Sequence, residues 1–139
     1  MIKNISNLGD AAIYCDFGSE VNESINSNVI KYFNNLAILV KSNKIEGINN
    51  LTPSYNKLII SFDLKVTSFE KLKKKIENLE IKNQIKDQNK KIKIPICCDD
   101  EYALDFKSLS KKLNLSKKEI LNLFFKNEYF CYMTGFIAG

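Results

Sequence analysis

The chain has 139 residues, 45% of them hydrophobic and 11% aromatic, enough for one ordinary domain or two very small ones and too apolar for wholesale disorder. It carries a formal charge of +5 and no histidine, which removes Ser-His-Asp and Cys-His nucleophilic sites, imidazole proton shuttles and histidine-containing metal centres together. All 21 basic residues are lysine; without the guanidinium fork that grips phosphate and reads guanine, the surplus reads as a solvated surface and no nucleic-acid partner is expected.

The N-terminus, Met1 to Asn7, has neither the apolar stretch nor the small-residue cleavage site of a signal peptide. Ala11 to Phe17 reads as a strand closed by Gly18-Ser19. Val21, Ile25, Val29, Phe33, Leu36 and Val40 then recur at three- and four-residue steps, one apolar stripe of a helix with Asn22 as its N-cap. The longest apolar run, Leu36 to Val40, is far short of the ~20 residues a spanning helix needs. A soluble cytoplasmic protein with no membrane partner is therefore expected.

Gly47 and Pro53 punctuate the next stretch, within which Ile45 to Leu51 is a weaker strand and Lys57 to Asp63 a stronger one. Thr67-Ser68-Phe69-Glu70 fits a capping box with Thr67 as the cap, opening a second helix on Phe69, Leu72, Ile76 and Leu79. Glu80 to Lys91 is charged and amide-rich and reads as a linker or frayed helix end. Lys91 to Cys97 alternates and reads as a strand with an edge-type proline, Pro95. Strand, helix, strand, strand, helix, strand is the split βαβ or ferredoxin-like order, in which one sheet carries both helices on one face.

The last third differs. Asp105 is placed to cap a short helix carrying Phe106, Leu109 and Leu113, and Asn114 suits a left-handed turn. Ser116 to Glu119 is a second capping box, opening a helix with Ile120, Leu121, Leu123 and Phe124. Glu128 to Phe136 reads as a final aromatic strand. The helix pair has the outline of a helix-turn-helix, against which stands a plain helical hairpin with solvated lysines. Asp99-Asp100-Glu101 could hold a hard cation or supply a general base, yet three consecutive acids fit a solvated turn better. Of the four cysteines, Cys15, Cys97, Cys98 and Cys131, no two form a C-x-x-C pair. Cys15 and Cys131 read as small buried hydrophobes. No catalytic and no metal-ligating residue is expected.

Three separated stretches, in order along the chain, carry a resemblance. They are Gly9-Asp10-Ala11-Ala12 to Phe17-Gly18 with Asn22 and Ile25-Asn26; Pro53-Ser54-Tyr55-Asn56-Lys57-Leu58-Ile59-Ile60-Ser61-Phe62-Asp63; and Ile94-Pro95-Ile96-Cys97 through Leu115-Ser116 and Glu119-Ile120 to Tyr129 and Tyr132-Met133-Thr134-Gly135-Phe136. Together they resemble the KipI-type family of 5-oxoprolinase B subunits, also known as allophanate hydrolase subunit 1. The resemblance implies an α+β fold. A ferredoxin-like domain over 1–88 is followed over 89–139 by the helical hairpin and first strands of a cyclophilin-like, carboxyltransferase-type domain.

That second domain is read as incomplete, because the family pattern continues past Gly139 for roughly another half-domain. The implied function is that of an accessory subunit in ATP-dependent opening of 5-oxoproline to glutamate. Its implied partners are a second carboxyltransferase-type subunit and a lactam-utilisation-type subunit, with ATP serving the complex and no cofactor in this chain. The alternative that some members suggest is inhibition of a sensor histidine kinase. The family's histidine falls on Phe124 and its late proline on Ala138, so this chain alone is read as non-catalytic. Tyr129, Tyr132, Gly135 and Phe136 match the densest motif and are the candidate substrate-binding or interface residues. An exposed C-terminal strand edge would let the chain pair with itself or a partner.

Overall fold

In a computed structural model of the protein, residues 1–81 and 91–133 are described. They form β1 (Asn4–Asn7), β2 (Ala12–Asp16), α1 (Glu23–Lys41), β3 (Ile48–Pro53), β4 (Lys57–Phe62), α2 (Phe69–Glu77), α3 (Phe106–Leu113) and α4 (Lys117–Lys126). Two compact units divide them. One is Met1–Asp87 with Cys131–Gly139; the other is Gln88–Phe130.

The first unit is a four-stranded antiparallel sheet, in the order β1-β2-β4-β3, carrying α1 and α2. Its register lines the core residues into cross-strand rows. Ile13 faces Ile60, which faces Leu51, and Ile5 faces Cys15, which faces Leu58. Ile48 and Leu51, three residues apart, would fall on opposite faces of a regular strand; the register shift between Ile48 and Asn50 returns both to the core side. Val29 and Leu36 of α1 and Leu72 and Ile76 of α2 close over this face, each 0–1% exposed. Each such side chain contributes about 1.5–3 kcal/mol by leaving water.

The caps explain where the helices begin. Asn22 accepts the Ile25 N–H at 2.9 Å, as its position in the sequence indicated. At α2 the cap is Ser68, which accepts the Lys71 N–H at 3.4 Å, and not Thr67. Thr67 is committed to the preceding turn: its N–H donates to the Asp63 carbonyl at 3.0 Å, and its methyl lies over Gly47.

Gly47 has φ +82, and a Cβ there would stand 2.7 Å from Thr67 Cγ2. Gly47→Ala is therefore expected to lose about 2–4 kcal/mol, from left-handed backbone strain together with overpacking. Urea unfolding of the two proteins side by side measures it.

Two expected strands are not formed among the described residues. Lys91 to Cys97 is irregular and open, with Ile92, Ile94 and Ile96 all exposed. A strand needs a ladder, and β2, beside which the last strand of the expected order would pair, already lies between β1 and β4. The neighbour that the sequence pattern did not reveal is β1, four residues with asparagine at each end. Residues 128–133 are likewise irregular, while Thr134 to Phe136 of that expected strand lie outside the described residues.

In the second unit, α3 and α4 form the expected hairpin. Asn114 takes the left-handed turn at φ 53, and Ser116 and Glu119 complete a capping box. Asp105 precedes α3 but makes no side-chain cap bond; its backbone is already near-helical at φ −86, ψ −9, which aims the carboxylate away from the first-turn N–H groups. Asp99, Asp100 and Glu101 do not converge. Asp99 accepts from the Cys97 thiol at 3.6 Å and Asp100 pairs with Lys117 at 2.5 Å. That lysine, whose charge also lies 5.2 Å from the centre of the Phe106 ring, holds the Asp100 carboxyl below the usual carboxylate range.

Candidate functional site

One network of polar side chains in the first unit lies at the end of the sheet where β2 leaves and β4 enters. Asn26, in the second turn of α1, is 2% exposed and is the buried polar residue of the core. Its Nδ2 group reaches three backbone carbonyls: Ser54 at 3.4 Å, Tyr55 at 3.0 Å and Tyr132 at 3.3 Å. One side chain thus ties the β3–β4 turn to a segment 106 residues away. The Tyr55 and Tyr132 rings meet edge to face across this point, with centroids 6.2 Å apart.

Alongside it, Asp16 and Lys57 are directly paired residues of β2 and β4, and their charges meet at 2.5 Å. Lys57 also donates to the Gly18 carbonyl at 2.6 Å, and Asp16 accepts the Gly18 N–H at 2.7 Å. Asn56 donates to the carbonyls of Gly18 and Glu20, and its own carbonyl accepts the Phe17 N–H. The turn Asp16–Gly18 and the turn Ser54–Lys57 are in this way stitched into one rigid corner.

The hydrogen bond from Lys57, reinforced by the Gly18 N–H and the charges of Lys57 and Lys3, holds the Asp16 carboxyl below its ordinary value. A depressed pKa stabilises the fold above the unfolded value of ~3.9, and that stabilisation is lost as pH falls through the folded value. With the Asp16 side chain 32% exposed, Asp16→Asn is expected to cost about 1 kcal/mol at neutral pH. The difference should shrink between neutral pH and an acid pH below the unfolded value of ~3.9, as the lowered folded-state value is approached. Denaturant titrations at the two pH values check the sign.

The side-chain donors Asn26, Asn56 and Lys57 and the Gly18 N–H are each engaged by a carbonyl or a carboxylate, which suits holding a chain segment and presenting two phenol rings rather than attacking a substrate. No group of three His, Cys, Asp or Glu side chains among the described residues could hold a metal ion. The Cys15 thiol, buried against Leu58, is pushed up to about 12 by desolvation and stays protonated. Cys131, read in the sequence as buried, is exposed, residues 128–133 of its expected strand being irregular; its thiol donates to the Met133 carbonyl at 3.4 Å. A groove of about 290 Å³ also opens along Met1 to Ile5 against Tyr32, Lys73, Ile76 and Glu77.

Of the four candidate residues, Tyr132 joins this corner. Tyr129 belongs to the second unit, where its hydroxyl donates to the Phe124 carbonyl at 3.0 Å and its ring lies 5.2 Å from that of Phe124. Gly135 and Phe136 lie outside the described residues. Asn26 stood out in the sequence only as part of a motif. Its signal is a polar residue one turn after the cap, between Ile25 and Val29 on the apolar stripe.

Phe17-Gly18, Asn26, Ser54 to Lys57 and Tyr132, distant in sequence, thus meet in one place, and all come from the three stretches that carried the resemblance. Residues 3–139 match the carboxyltransferase domain, subdomain C and D. The chain belongs to that family. It is 26% identical, over 97% of its own length, to the 5-oxoprolinase B subunit of Bacillus subtilis (strain 168), of which it spans 60%. The motif resemblance to the family of 5-oxoprolinase B subunits agrees with both matches. Among solved structures it is similar to a conserved uncharacterized protein of Pyrococcus horikoshii, 27% identical, with a TM-score of 0.45, covering 53% of this chain and 32% of that one. None of the described helices is long and apolar enough to cross a membrane.

Proposed function

We propose that the chain is an accessory subunit of a 5-oxoprolinase-type, carboxyltransferase-domain assembly that opens a lactam at the expense of ATP. The observation that carries this reading is the co-linear match to the 5-oxoprolinase B subunit along nearly the whole chain. In this reading the partners are a second carboxyltransferase-type subunit and a lactam-utilisation-type subunit. ATP is then bound outside this chain.

The same reading makes the region before about residue 88 a ferredoxin-like domain and the region after it the start of a cyclophilin-like domain. The corner built on Asn26 then serves as a rigid docking platform, with Tyr55 and Tyr132 as its apolar contacts; aromatic side chains anchor interfaces at low entropic cost. Support for a non-catalytic role comes from the chemistry of the chain. It has no histidine, its buried thiol is held protonated, and Lys57 is neutralised by Asp16.

The test is co-elution of the purified chain with the second carboxyltransferase-type subunit of the same organism, followed by assay of ATP-dependent 5-oxoproline opening with all three components. A stable complex whose activity requires this chain is expected. A folded chain that neither binds nor changes the activity overturns the reading.

A further inference from the structure

The sheet has two outer strands, and they are not alike. At β3 the edge is interrupted by the register shift between Ile48 and Asn50 and closes on Pro53, both of which discourage a further strand. β1 carries neither a charge nor a proline, and no described strand lies beyond it. The phase of its ladder is fixed. Leu8 donates to the Ala12 carbonyl at 2.9 Å, and pairing then alternates, so that Asn4 and Ser6 turn their main-chain groups toward Asp16 and Tyr14. On the far side of β2, Phe17 donates to the Asn56 carbonyl and Phe62 to that of Ala11, which commits Ile13 and Cys15 to β4 and leaves Ala12, Tyr14 and Asp16 for β1. Ile5 and Asn7 therefore turn their N–H and C=O outward, away from β2.

The groove of about 290 Å³ runs beside that edge, and every residue lining it belongs to the first unit. Ile5 and Ile76, the latter 1% exposed, supply apolar lining. The helix that contributes Lys73, Ile76 and Glu77 to the groove is basic: α2 sets Lys71, Lys73, Lys74 and Lys75 against Glu70 and Glu77. Lys73 lies 3.8 Å from Glu77, beyond hydrogen-bond reach, so its ammonium is loosely held.

An open ladder is satisfied by another extended main chain. In a strand added ~4.8 Å beyond β1, the residue opposite Ile5 has its side chain on the same face as Ile5, the face that packs against the core and lines the groove. The next positions on that face are two residues away in each direction. A basic wall beside them selects for carboxylates. We propose that β1 and α2 form a docking groove for an extended, acidic segment of a partner protein, which adds a fifth strand to the sheet with an apolar side chain opposite Ile5 and a carboxylate on Lys73. This inference concerns the first unit alone and stands apart from the assembly proposed above.

The test is an NMR titration of the full, isotope-labelled chain with the blocked peptide acetyl-Glu-Thr-Val-Thr-Glu-amide up to millimolar concentration. Saturable shifts in the amides of β1 and α2 are expected, with slowed hydrogen exchange at Ile5 and Asn7. The same peptide methylated on its backbone nitrogens keeps the side chains, loses the ladder donors and should not bind. Exchanging both of its glutamates for lysine should weaken binding about fivefold or more. In the protein, Asn7→Pro removes an N–H that faces away from β2; it should weaken binding about tenfold and leave urea unfolding nearly unchanged. Lys73→Gln should weaken binding, and Glu77→Gln, which frees Lys73, should tighten it. Amides of Ile5 and Asn7 that already exchange slowly in the free chain overturn the proposal, whether its own residues hold them or, where dilution releases them, a second copy does. The absence of saturable shifts overturns it equally, as does binding that ignores backbone methylation or the sign of the peptide charge.

Discussion

Asn26→Asp is expected to destabilise the protein by about 3–5 kcal/mol at neutral pH, more than Asn26→Ala, for which about 2–3 kcal/mol is expected. The alanine removes the donor shared by the carbonyls of Ser54, Tyr55 and Tyr132. The aspartate does worse, because a carboxylate offers only lone pairs to three carbonyl oxygens in a position that is 2% exposed. Burial and the facing oxygens both raise the pKa of the introduced acid above its unfolded value of ~3.9. The penalty is therefore full above the raised folded-state pKa and fades as pH falls through it, opposite to the behaviour of Asp16. Urea unfolding at neutral and acidic pH measures the sign. Limited chymotrypsin digestion supplies a local readout: cleavage after Tyr132 should accelerate in both variants, because its carbonyl is released from α1.

Ile60→Ala is expected to cost about 3 kcal/mol, within the 2–5 kcal/mol range for such truncations. Ile60 is 0% exposed on the central strand β4, between Ile13 on one side and Leu51 on the other, so neither neighbour can move in without breaking register. For a unit of this size that corresponds to roughly 12–24 °C in Tm. The adjacent Ile59, paired with Tyr14 and half-buried on the opposite face, supplies the control. Ile59→Ala should cost about 1 kcal/mol or less. Equal losses at the two positions, measured by thermal unfolding, would contradict the assignment of the core face.

The elements that were legible in the sequence are those whose cause is local. The stripe Ile25, Val29, Phe33 and Leu36 specifies α1 without reference to the rest of the chain, and Asn22, Asn114 and the Ser116–Glu119 box act within one turn of themselves. Strands are different, because alternation states a preference whereas a ladder is a contact with another segment. Lys91 to Cys97 has the alternation but no strand partner among the described residues, while β1 has a partner, β2, and almost no pattern. At α2 two adjacent hydroxyl residues could serve as cap. What decides between them is the requirement for a methyl over Gly47, a tertiary fact that no local pattern expresses.

The candidate site divides in the same way. Tyr132 was legible as a motif residue and does reach the corner, yet the reason is its carbonyl, not its ring alone. The part played by Asn26 was hidden because its partners are main-chain oxygens, which carry no sequence signature. The pairing of Asp16 with Lys57 depends on the β2–β4 register, and so became visible only with the sheet.

The reach of Asn26 across 106 residues also sets an order of events during synthesis. Ser54 and Tyr55 leave the ribosome soon after α1, so two of its three acceptors are available while the sheet is assembling. The third is not yet made. At ~5–20 residues per second, the Tyr132 carbonyl follows Asn26 by roughly 5–20 s, long compared with the microsecond formation of a helix or hairpin. The nascent chain can therefore close its core around a side chain with one bond outstanding, and the Tyr132 segment is captured onto a surface that has already folded.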